Sequence, residues 1–414
     1  MSEDAPAEPA AVTVGYAFTP KKVRSFMQPG LIGLARARGV QFMPIDPAKP
    51  IESQEGHPFD VILHKLPVAE RLKCSWEERV RRYADDNPRC VVLDAPERVH
   101  QLANRATMLQ AVQSISYGER FGGETGTSGR SSSICDGGAH SPELRRVRAP
   151  EQLVVEGDPD AVVAAMRAKK MRLPLLAKAL MADGSANSHS VAVVYDETGL
   201  RSIVRGEVAG LRPPCILQQF VNHGGTLFKV YVVGESVTCT RRASLPDLHG
   251  TEGERARRGA GGGAVLRGAG RGGFELIERI SSFLGAGNKR AAADMMEGGG
   301  AGEGDGGASG TGGTSSAEEG EEGTDQDEAE ELEPPPRVVA PPEQALINSI
   351  SASLRAQLGL QLFNYDLIRD ASTDDYLVVD INYLPGFAKM PNYETVFANF
   401  LSSVCPVNLP ATVP

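Results

Sequence analysis

The amino-acid sequence predicts a mixed fold, in which a small parallel α/β domain precedes a larger α+β region. Apolar strand-like runs alternate with helical patterns over residues 12–94, which is typical of parallel sheets with helical crossovers. Paired apolar runs around short polar turns follow in the second half and predict antiparallel hairpins. Two low-complexity segments interrupt the chain, so that about 290 of its 414 residues are expected to fold.

The predicted α/β domain covers residues 12–97. Its strand segments are rich in β-branched and aromatic residues, as in VTVGYAF, whereas GLIGLARAR carries apolar residues at helical spacing. Strands are predicted at 12–18, 41–45, 59–66 and 90–93, and helices at 30–38 and 77–86. Residues 1–11 form an acidic, Pro- and Ala-rich tail that we expect to be disordered.

The α+β region divides into two predicted parts, residues 98–220 and 221–405. The same patterns predict helices at 94–113, 160–169 and 342–358, and strands at 173–178, 190–195, 215–220, 227–233 and 236–242. The last two strands flank a Gly234-Glu235 turn and predict a hairpin.

Two segments are predicted to be disordered insertions. Residues 117–141 are rich in Gly and Ser, and residues 249–340 in Gly, Ala and Glu, so neither has enough apolar groups to offset the entropy of ordering. Within the second, only FELIERISSFL at 274–284 is apolar enough to order or to dock on the body. Residues 251–340 also carry eighteen acidic and nine basic residues, which accounts for nearly all of the net charge of −10.

Bulk charge therefore indicates no class of partner, and we expect no nucleic-acid partner. The six cysteines are scattered without CxxC or metal-ligand spacing, which favours a reduced, intracellular protein. The N-terminus lacks the apolar core of a secretory signal, and no run approaches the length of a membrane span. We expect a cytoplasmic monomer and leave access to the nucleus open.

The most informative segment is FNYDLIRDASTDDYLVVDIN at residues 363–382, a predicted hairpin around a polar turn at 371–375. A hairpin centred on Thr373 places Asp366 opposite Asp380, and strand alternation puts Asn382 on the same face. Three oxygen donors on one face suit Mg²⁺ ions that carry nucleotide phosphates. The alternative is a solvated face of an edge strand. The apolar neighbours and the LPG that follows favour the metal site.

Upstream, Lys178 ends an apolar strand and precedes the small-residue loop ADGSANSHS. Such a loop lets backbone N–H groups approach phosphate oxygens, and the lysine supplies charge. The sequence does not match a Walker A motif, and an ordinary turn is the alternative. The predicted strand ILQQFV is followed directly by NHGG. Its exit is able to offer backbone groups to adenine, and a plain core strand is the alternative.

Basic residues lie near strand ends in several other segments. They comprise Lys21, Lys22, His64, Lys65, Lys229, Arg241 and Arg242, with Ser244 nearby. Ligands of open α/β sheets bind at strand ends, and Lys and Arg from separate segments suit a small, highly phosphorylated substrate. Scattered surface charges are the alternative.

Together these motifs resemble the inositol 1,3,4-trisphosphate 5/6-kinase / inositol-tetrakisphosphate 1-kinase family. The resemblance rests on VGYAFTPKK, VILHKL, LANR, AKALMADGSANSHS, ILQQFVNHGGTLFKVYVVGES, RRASLPD, LFNYDLIRD and VVDINYLPGF. It covers residues 12–401 apart from the two insertions, and the DINYLPGF…MPNYE ending resembles the plant-type branch. It implies the ATP-grasp fold, with 98–220 as the central subdomain and 221–405 as the C-terminal one.

The resemblance also implies roles for individual residues. Inositol-phosphate contacts are implied for Lys22, Lys65, His189, Lys229, Asn382 and Gly386. ATP contacts are implied for Arg105, Lys178, Gln218, Gln219, Phe220, Val221, Arg242 and Ser244. Asp366, Asp380 and Asn382 are implied to bind Mg²⁺, with two ions expected, and Lys229 and Asp380 are implied to be catalytic. Asp183, where animal members carry His, is given no catalytic role.

The implied reaction is in-line transfer of the ATP γ-phosphoryl group to an inositol hydroxyl, feeding inositol hexakisphosphate synthesis. An ATP-grasp carboxylate–amine ligase is the first alternative, since it shares the metal hairpin and the nucleotide loop. A non-catalytic inositol-phosphate sensor is the second. The intact set of Asp366, Asp380 and Asn382 argues against the sensor.

Overall fold

The computed structural model describes most of the chain. The described residues are 12–113, 115, 146–182, 186–248, 273–277, 339–387 and 389–405. The predicted tail at 1–11 and the predicted insertion at 117–141 lie outside them, as do Asp183 and most of 249–340.

The N-terminal domain is the parallel α/β unit that the sequence predicts. Its strands are β1 (Val12–Phe18), β2 (Val40–Pro44), β3 (Val61–Lys65) and β4 (Val91–Leu93). They form one parallel sheet in the order β2-β1-β3-β4. The helices are α1 (Pro20–Phe26), α2 (Pro29–Ala37), α3 (Val68–Lys73) and α4 (Trp76–Asp86), with a 3₁₀ turn at Ile51–Ser53.

Helix α1 was not predicted, although its first residues carry the signal. Thr19 caps it, because its hydroxyl accepts a hydrogen bond from the Lys22 backbone N–H at 3.2 Å, and Pro20 occupies the first turn. The helix presents Lys22 and Phe26 to the interior. This orientation brings the Lys22 ammonium to the carbonyl oxygens of Leu384 and Pro385, at the candidate site.

The predicted helix at 94–113 is wrong. Three short helices replace it, α5 (Pro96–His100), α6 (Arg105–Met108) and α7 (Gln110–Gln113). Tertiary contacts break the helical pattern at Asn104, which is extended and forms a β-bridge with Met181, and its side chain caps α6. At the start of the segment, Asp94 has a φ of 63° and accepts backbone hydrogen bonds from Gln361 (2.5 Å) and Leu362 (2.9 Å).

The second half contains ten strands and four helices among the described residues. The strands are β5 (Val147–Arg148), β6 (Gln152–Val155), β7 (Leu175–Ala179), β8 (Val191–Val194), β9 (Cys215–Gln219), β10 (Thr226–Val233), β11 (Ser236–Ala243), β12 (Phe274–Ile277), β13 (Leu362–Arg369) and β14 (Tyr376–Tyr383). The helices are α8 (Pro159–Ala168), α9 (Glu197–Val204), α10 (Gln344–Leu358) and α11 (Tyr393–Val404), and a 3₁₀ turn spans Ala186–His189.

These strands form two five-stranded sheets. The central sheet has the order β12-β8-β7-β9-β6 and is antiparallel throughout. The C-terminal sheet has the order β11-β10-β13-β14-β5, with only β5 added in parallel. The predicted hairpins β10–β11 and β13–β14 are both confirmed.

Strand β12 shows that part of the predicted insertion docks on the body. Phe274–Ile277 pairs antiparallel with β8, which confirms the expectation for the first four residues of the apolar stretch, whereas 278–284 lie outside the described residues. Gly273 allows this docking, because it has a φ of 64° and a Cβ there would lie 1.9 Å from a carboxylate oxygen of Asp196. Ile277 then packs with Phe220 and Leu245.

The N-terminal domain and the C-terminal sheet share one hydrophobic core. Phe26 of α1 packs edge-on against Phe397 of α11, with ring centroids 4.8 Å apart, and lies 5.9 Å from Phe387. The hydroxyl of Tyr383, at the end of β14, donates to the His64 carbonyl oxygen at 2.8 Å. These contacts fix the end of β3 against the end of β14, where the candidate site lies.

The five cysteines among the described residues are free thiols, as expected for a chain without a disulfide framework. Within the same residues, no helix combines the length and the apolar composition that crossing a membrane requires.

Candidate active site

Hairpin β13–β14 places the predicted metal ligands together. Asp366 is paired with Asp380, as predicted, and the amide Nδ2 of Asn382 donates to Asp380 Oδ2 at 2.7 Å, so the three side chains share one face. The sequence pattern did not reveal the bulge beside them. Asp366 pairs with Asp380 but Leu367 pairs with Val378, which leaves Val379 as the extra residue.

Lys229 extends this row onto the neighbouring strand. It is paired with Asp366 across β10 and β13, and its Nζ donates to Asp366 Oδ1 at 2.7 Å. Both side chains are mostly withdrawn from solvent, with exposed fractions of 26% for Lys229 and 18% for Asp366. The solvent-face interpretation of Lys229 is therefore wrong.

Opposing electrostatic effects act on the pKa of the Asp366 carboxyl group. Burial raises the pKa of Asp366, and the nearby Asp380 carboxylate raises it further, whereas the Lys229 ammonium opposes both effects. The Lys178 ammonium opposes them as well, but the repulsion between the two carboxylates remains. A cation placed between the carboxylates would relieve their repulsion.

The donor set fits Mg²⁺, which prefers carboxylate and amide oxygens. Among the described residues, no group of three or more His, Cys, Asp and Glu side chains is placed to hold a metal. Asp366 and Asp380 with Asn382 thus make an incomplete shell. That is the arrangement expected where waters and substrate phosphates complete the coordination of Mg²⁺.

Lys178 faces these carboxylates from the central sheet. It lies on β7 and donates a hydrogen bond to Gln218 Oε1 on the adjacent β9. Burial lowers its pKa to about 8, while the Asp380 and Asp366 carboxylates act in the opposite direction. The charged rows of the two sheets therefore interact across the space between them.

Arg105 anchors the segment that follows Lys178. Its guanidinium donates to the carbonyl oxygens of Ala179 (2.8 Å), Met181 (3.3 Å) and Ser188 (3.0 Å). Its positive charge also contributes to lowering the pKa of Lys178. Arg105 thus adds positive charge beside Lys178 and fixes the backbone on both sides of the small-residue loop.

The exit of β9 is only partly available to a ligand. The Gln219 side chain is engaged with the Arg172 backbone, accepting from its N–H at 2.8 Å and donating to its carbonyl at 2.9 Å. Phe220 is packed in the cluster with Leu245 and Ile277. The carbonyl oxygens of Phe220 and Val221 also have partners, in Gln219 Nε2 at 3.1 Å and His223 Nδ1 at 2.7 Å.

The N-terminal lysines reach the far end of the metal hairpin. Lys22 Nζ donates to the carbonyl oxygens of Leu384 (2.9 Å) and Pro385 (2.6 Å), and Lys65 Nζ donates to that of Tyr383. Burial lowers the pKa of Lys65 to about 8, with Arg71 contributing. The pKa of Lys22 falls well below its usual value through burial and the charge of Lys65. Two ammonium groups therefore gather directly after Asn382.

Two family models match this chain. A model of the inositol 1,3,4-trisphosphate 5/6-kinase ATP-grasp domain matches residues 141–259 and 314–403, and a model of that family's pre-ATP-grasp domain matches residues 13–99. The chain belongs to the inositol 1,3,4-trisphosphate 5/6-kinase family. The ranges that these models leave unmatched, 100–140 and 260–313, overlap the two low-complexity segments.

Plant members of the family are similar over nearly the whole chain. Inositol-tetrakisphosphate 1-kinase 3 of Arabidopsis thaliana is 35% identical over 395 residues, which cover 95% of this chain and 85% of the relative. Inositol-tetrakisphosphate 1-kinase 5 of Oryza sativa subsp. japonica is 35% identical over 388 residues, covering 94% and 88%. These similarities and the matched ATP-grasp model confirm the fold that the resemblance implied.

Four residues with family-derived roles lie apart from the cluster that the hydrogen bonds define. His189 is exposed at the end of its 3₁₀ turn, and Gly386 is exposed with no atom within 4 Å of a Cβ built on it. Arg242 donates to the Lys389 carbonyl oxygen at 3.0 Å, and the Ser244 hydroxyl lies 2.8 Å from His223 Nε2. Their family roles stay predictions.

Sequence reasoning missed the residues that hold the turn after β9. His223 contacts Ser244 through Nε2 and the Val221 carbonyl through Nδ1 at 2.7 Å. The Asp247 carboxylate accepts from the backbone N–H groups of His223 (2.7 Å) and Gly224 (2.8 Å). The available signal was the pair NHGG and SLPD, which places a His and an Asp beside turn-forming residues.

Proposed function

We propose that this protein is a Mg²⁺- and ATP-dependent kinase that phosphorylates a ring hydroxyl of an inositol tris- or tetrakisphosphate. The main observation that supports the proposal is that the ammonium groups of Lys22 and Lys65 both donate to backbone carbonyl oxygens of residues 383–385, directly after Asn382. A site for a polyanion thereby adjoins a site for a metal. Membership of the family and the names of its plant relatives support the same assignment.

The proposed ATP-binding residues come from the central sheet, from α6 beside it and from the end of β11. Lys178 and Arg105 would bind phosphate oxygens, with Arg105 also fixing the loop that follows β7. The backbone from Gln218 to Val221 would frame the adenine. Arg242 and Ser244 would complete the nucleotide site.

Asp366, Asp380 and Asn382 would hold Mg²⁺, with two ions proposed. A bound metal would neutralise negative charge on the nucleotide phosphates. Lys229 is paired with Asp366 on the neighbouring strand. Its ammonium would balance charge that develops on the transferred group. No residue is assigned as a general base, because a loose phosphoryl-transfer transition state makes little demand for one.

The acceptor would lie against Lys22, Lys65, His189, Lys229, Asn382 and Gly386. Lys22 and Lys65 are protonated when they bind a phosphate, because its negative charge opposes the effect of burial on their pKa. We also propose that the enzyme acts as a monomer. The free thiols among the described cysteines support a reducing compartment such as the cytoplasm, with access to the nucleus left open.

An acceptor screen tests the proposal. The protein would be incubated with ATP and Mg²⁺, together with inositol tris- and tetrakisphosphates or with carboxylate and amine pairs. We expect ADP release with an inositol phosphate as the sole acceptor, and one added phosphate in the product. Release that requires a carboxylate and an amine would instead identify a ligase, and binding without turnover would identify a sensor.

The pKa of Lys178 predicts how nucleotide affinity depends on pH. Phosphate binds the protonated lysine, and its folded-state pKa of about 8 lies below the usual lysine value. Below pH 8 the Lys178 side chain carries its positive charge. Above pH 8 it loses that charge, and the affinity for ATP should fall by about tenfold per pH unit. Lys178→Arg keeps its charge throughout and should bind with little pH dependence. Calorimetric titration with ATP between pH 7 and 9.5 measures both proteins, and equal pH slopes would contradict the assignment.

A further inference from the structure

Asn364 has a buried side chain without a hydrogen-bonding partner. The residue lies on β13 and is fully buried, and neither Oδ1 nor Nδ2 of its amide has a partner in the structure. Buried amides are almost always satisfied, because an unpaired polar group loses its hydrogen bonds to water without replacement. The Asn364 amide is therefore free to take a hydrogen-bonding partner.

The sheet register shows which groups are near it. Asn364 is paired with Asn382 on β14, and it lies two residues from Asp366, so it shares the face that carries the carboxylates. Directly paired residues of an antiparallel sheet have Cβ atoms about 4.5–5.5 Å apart, which two asparagine amides readily span. The side chains paired with Asn364 are thus those of Asn382 on β14 and Tyr231 on β10.

Asn382 needs a second partner when a metal binds. Its Nδ2 now donates to Asp380 Oδ2 at 2.7 Å. An oxygen that coordinates a cation is a poorer acceptor, because its lone pairs point at the ion. Asn382 must also present Oδ1 to that ion, and an amide has fixed geometry, so its Nδ2 then requires an acceptor elsewhere.

We propose that Asn364 is a positioning residue for the metal-bound state, which accepts a hydrogen bond from Asn382 Nδ2 and holds Asn382 Oδ1 toward the metal. The bond gives Asn364 Oδ1 a donor and gives Asn382 Nδ2 an acceptor. This inference rests on the proposed function, since it requires Asn382 to be a metal ligand. Groups that orient metal ligands commonly contribute about 10–100-fold to metal affinity.

Asn364→Leu tests the proposal, since leucine has a similar size and no hydrogen-bonding group. Binding of Mn²⁺ as a Mg²⁺ substitute, in the presence of a non-hydrolysable ATP analogue, is measured by electron paramagnetic resonance. We expect Mn²⁺ affinity to fall by about 10–100-fold, while the melting temperature stays the same or rises because an unsatisfied amide has been removed. Unchanged Mn²⁺ affinity would overturn the proposal.

Two controls separate positioning from a structural effect. Tyr365→Phe removes a buried hydrogen bond to Ser351, 3.0 Å long, on the opposite face of β13, and it should leave Mn²⁺ affinity unchanged. In an Asn382→Ala background, Asn364→Leu should cause no further loss, because its effect passes through Asn382. An additive loss would overturn the proposal. Absence of any Mn²⁺ binding by the unsubstituted protein would instead refute the proposed function on which it rests.

Discussion

Replacing Asp380 by alanine should reduce kcat by at least about 10³-fold, because this carboxylate is central to the proposed metal site. It is paired with Asp366, accepts from Asn382 and influences the pKa of Lys178 from across the site. Its removal should therefore weaken both metal binding and the positioning of the phosphates. Steady-state ADP release at saturating ATP and acceptor measures the loss.

The protein should stay folded in this variant. Asp380 raises the pKa of Asp366 by repulsion, so its removal relieves that repulsion, although it also breaks the hydrogen bond from Asn382 and removes an attraction to Lys178. Because these effects oppose each other, the melting temperature should change little. Asp374→Asn is the matched control. That residue is half-exposed in the turn of the same hairpin at a φ of 61°, which asparagine tolerates, and full activity is expected. Undiminished turnover in Asp380→Ala would exclude the metal assignment.

Lys229→Met should lower kcat by about 10²–10³-fold and leave the affinity for ATP within a few-fold. The ammonium projects from β10 and donates to Asp366 Oδ1, where it would balance charge on the transferred group. Single-turnover kinetics separate the chemical step from nucleotide binding. Arg241→Met removes the same charge from an exposed position on β11 and should keep at least half of the activity.

This variant should also lose stability, by about 1–3 kcal/mol, because Asp366 loses its ion-pair partner in a largely buried site. Without Lys229 the pKa of Asp366 rises further. An acid whose folded-state pKa is raised destabilises the folded protein at pH values above its unfolded-state pKa, and the effect disappears as the pH falls through that value. The loss should therefore be larger at pH 7 than at pH 5 in urea denaturation. Turnover within threefold of the unsubstituted protein would contradict the role given to Lys229.

Local patterns predicted those parts of the fold that local interactions determine. The turn at 371–375 and the strand alternation sufficed to place Asp366 opposite Asp380, because register in a hairpin follows from its turn and its buried face. The bulge at Val379 was not visible, since the apolar run VVDI fits a regular strand equally well. The helix predicted at 94–113 failed because Asn104 bonds to Met181, a partner far away in sequence.

The candidate site was harder to predict because long-range contacts assemble it. Family resemblance named Lys22 and Lys65, but their positions beside residues 383–385 depend on packing of α1 and β3 against the end of β14. The hydrogen bonds between the Gln219 side chain and the Arg172 backbone are another contact between separate segments. Asn364 escaped notice because an asparagine in LFNYD shows neither its burial nor its lack of a partner.

The most direct test of the central claim follows the γ-phosphoryl group itself. The protein would be given γ-³²P-labelled ATP, Mg²⁺ and an inositol tetrakisphosphate, and label in the inositol product would be compared with ADP formed. The proposed kinase requires equal amounts of both, and loss of both in Asp380→Ala. Label that appears only as inorganic phosphate, with the inositol phosphate unchanged, would contradict it.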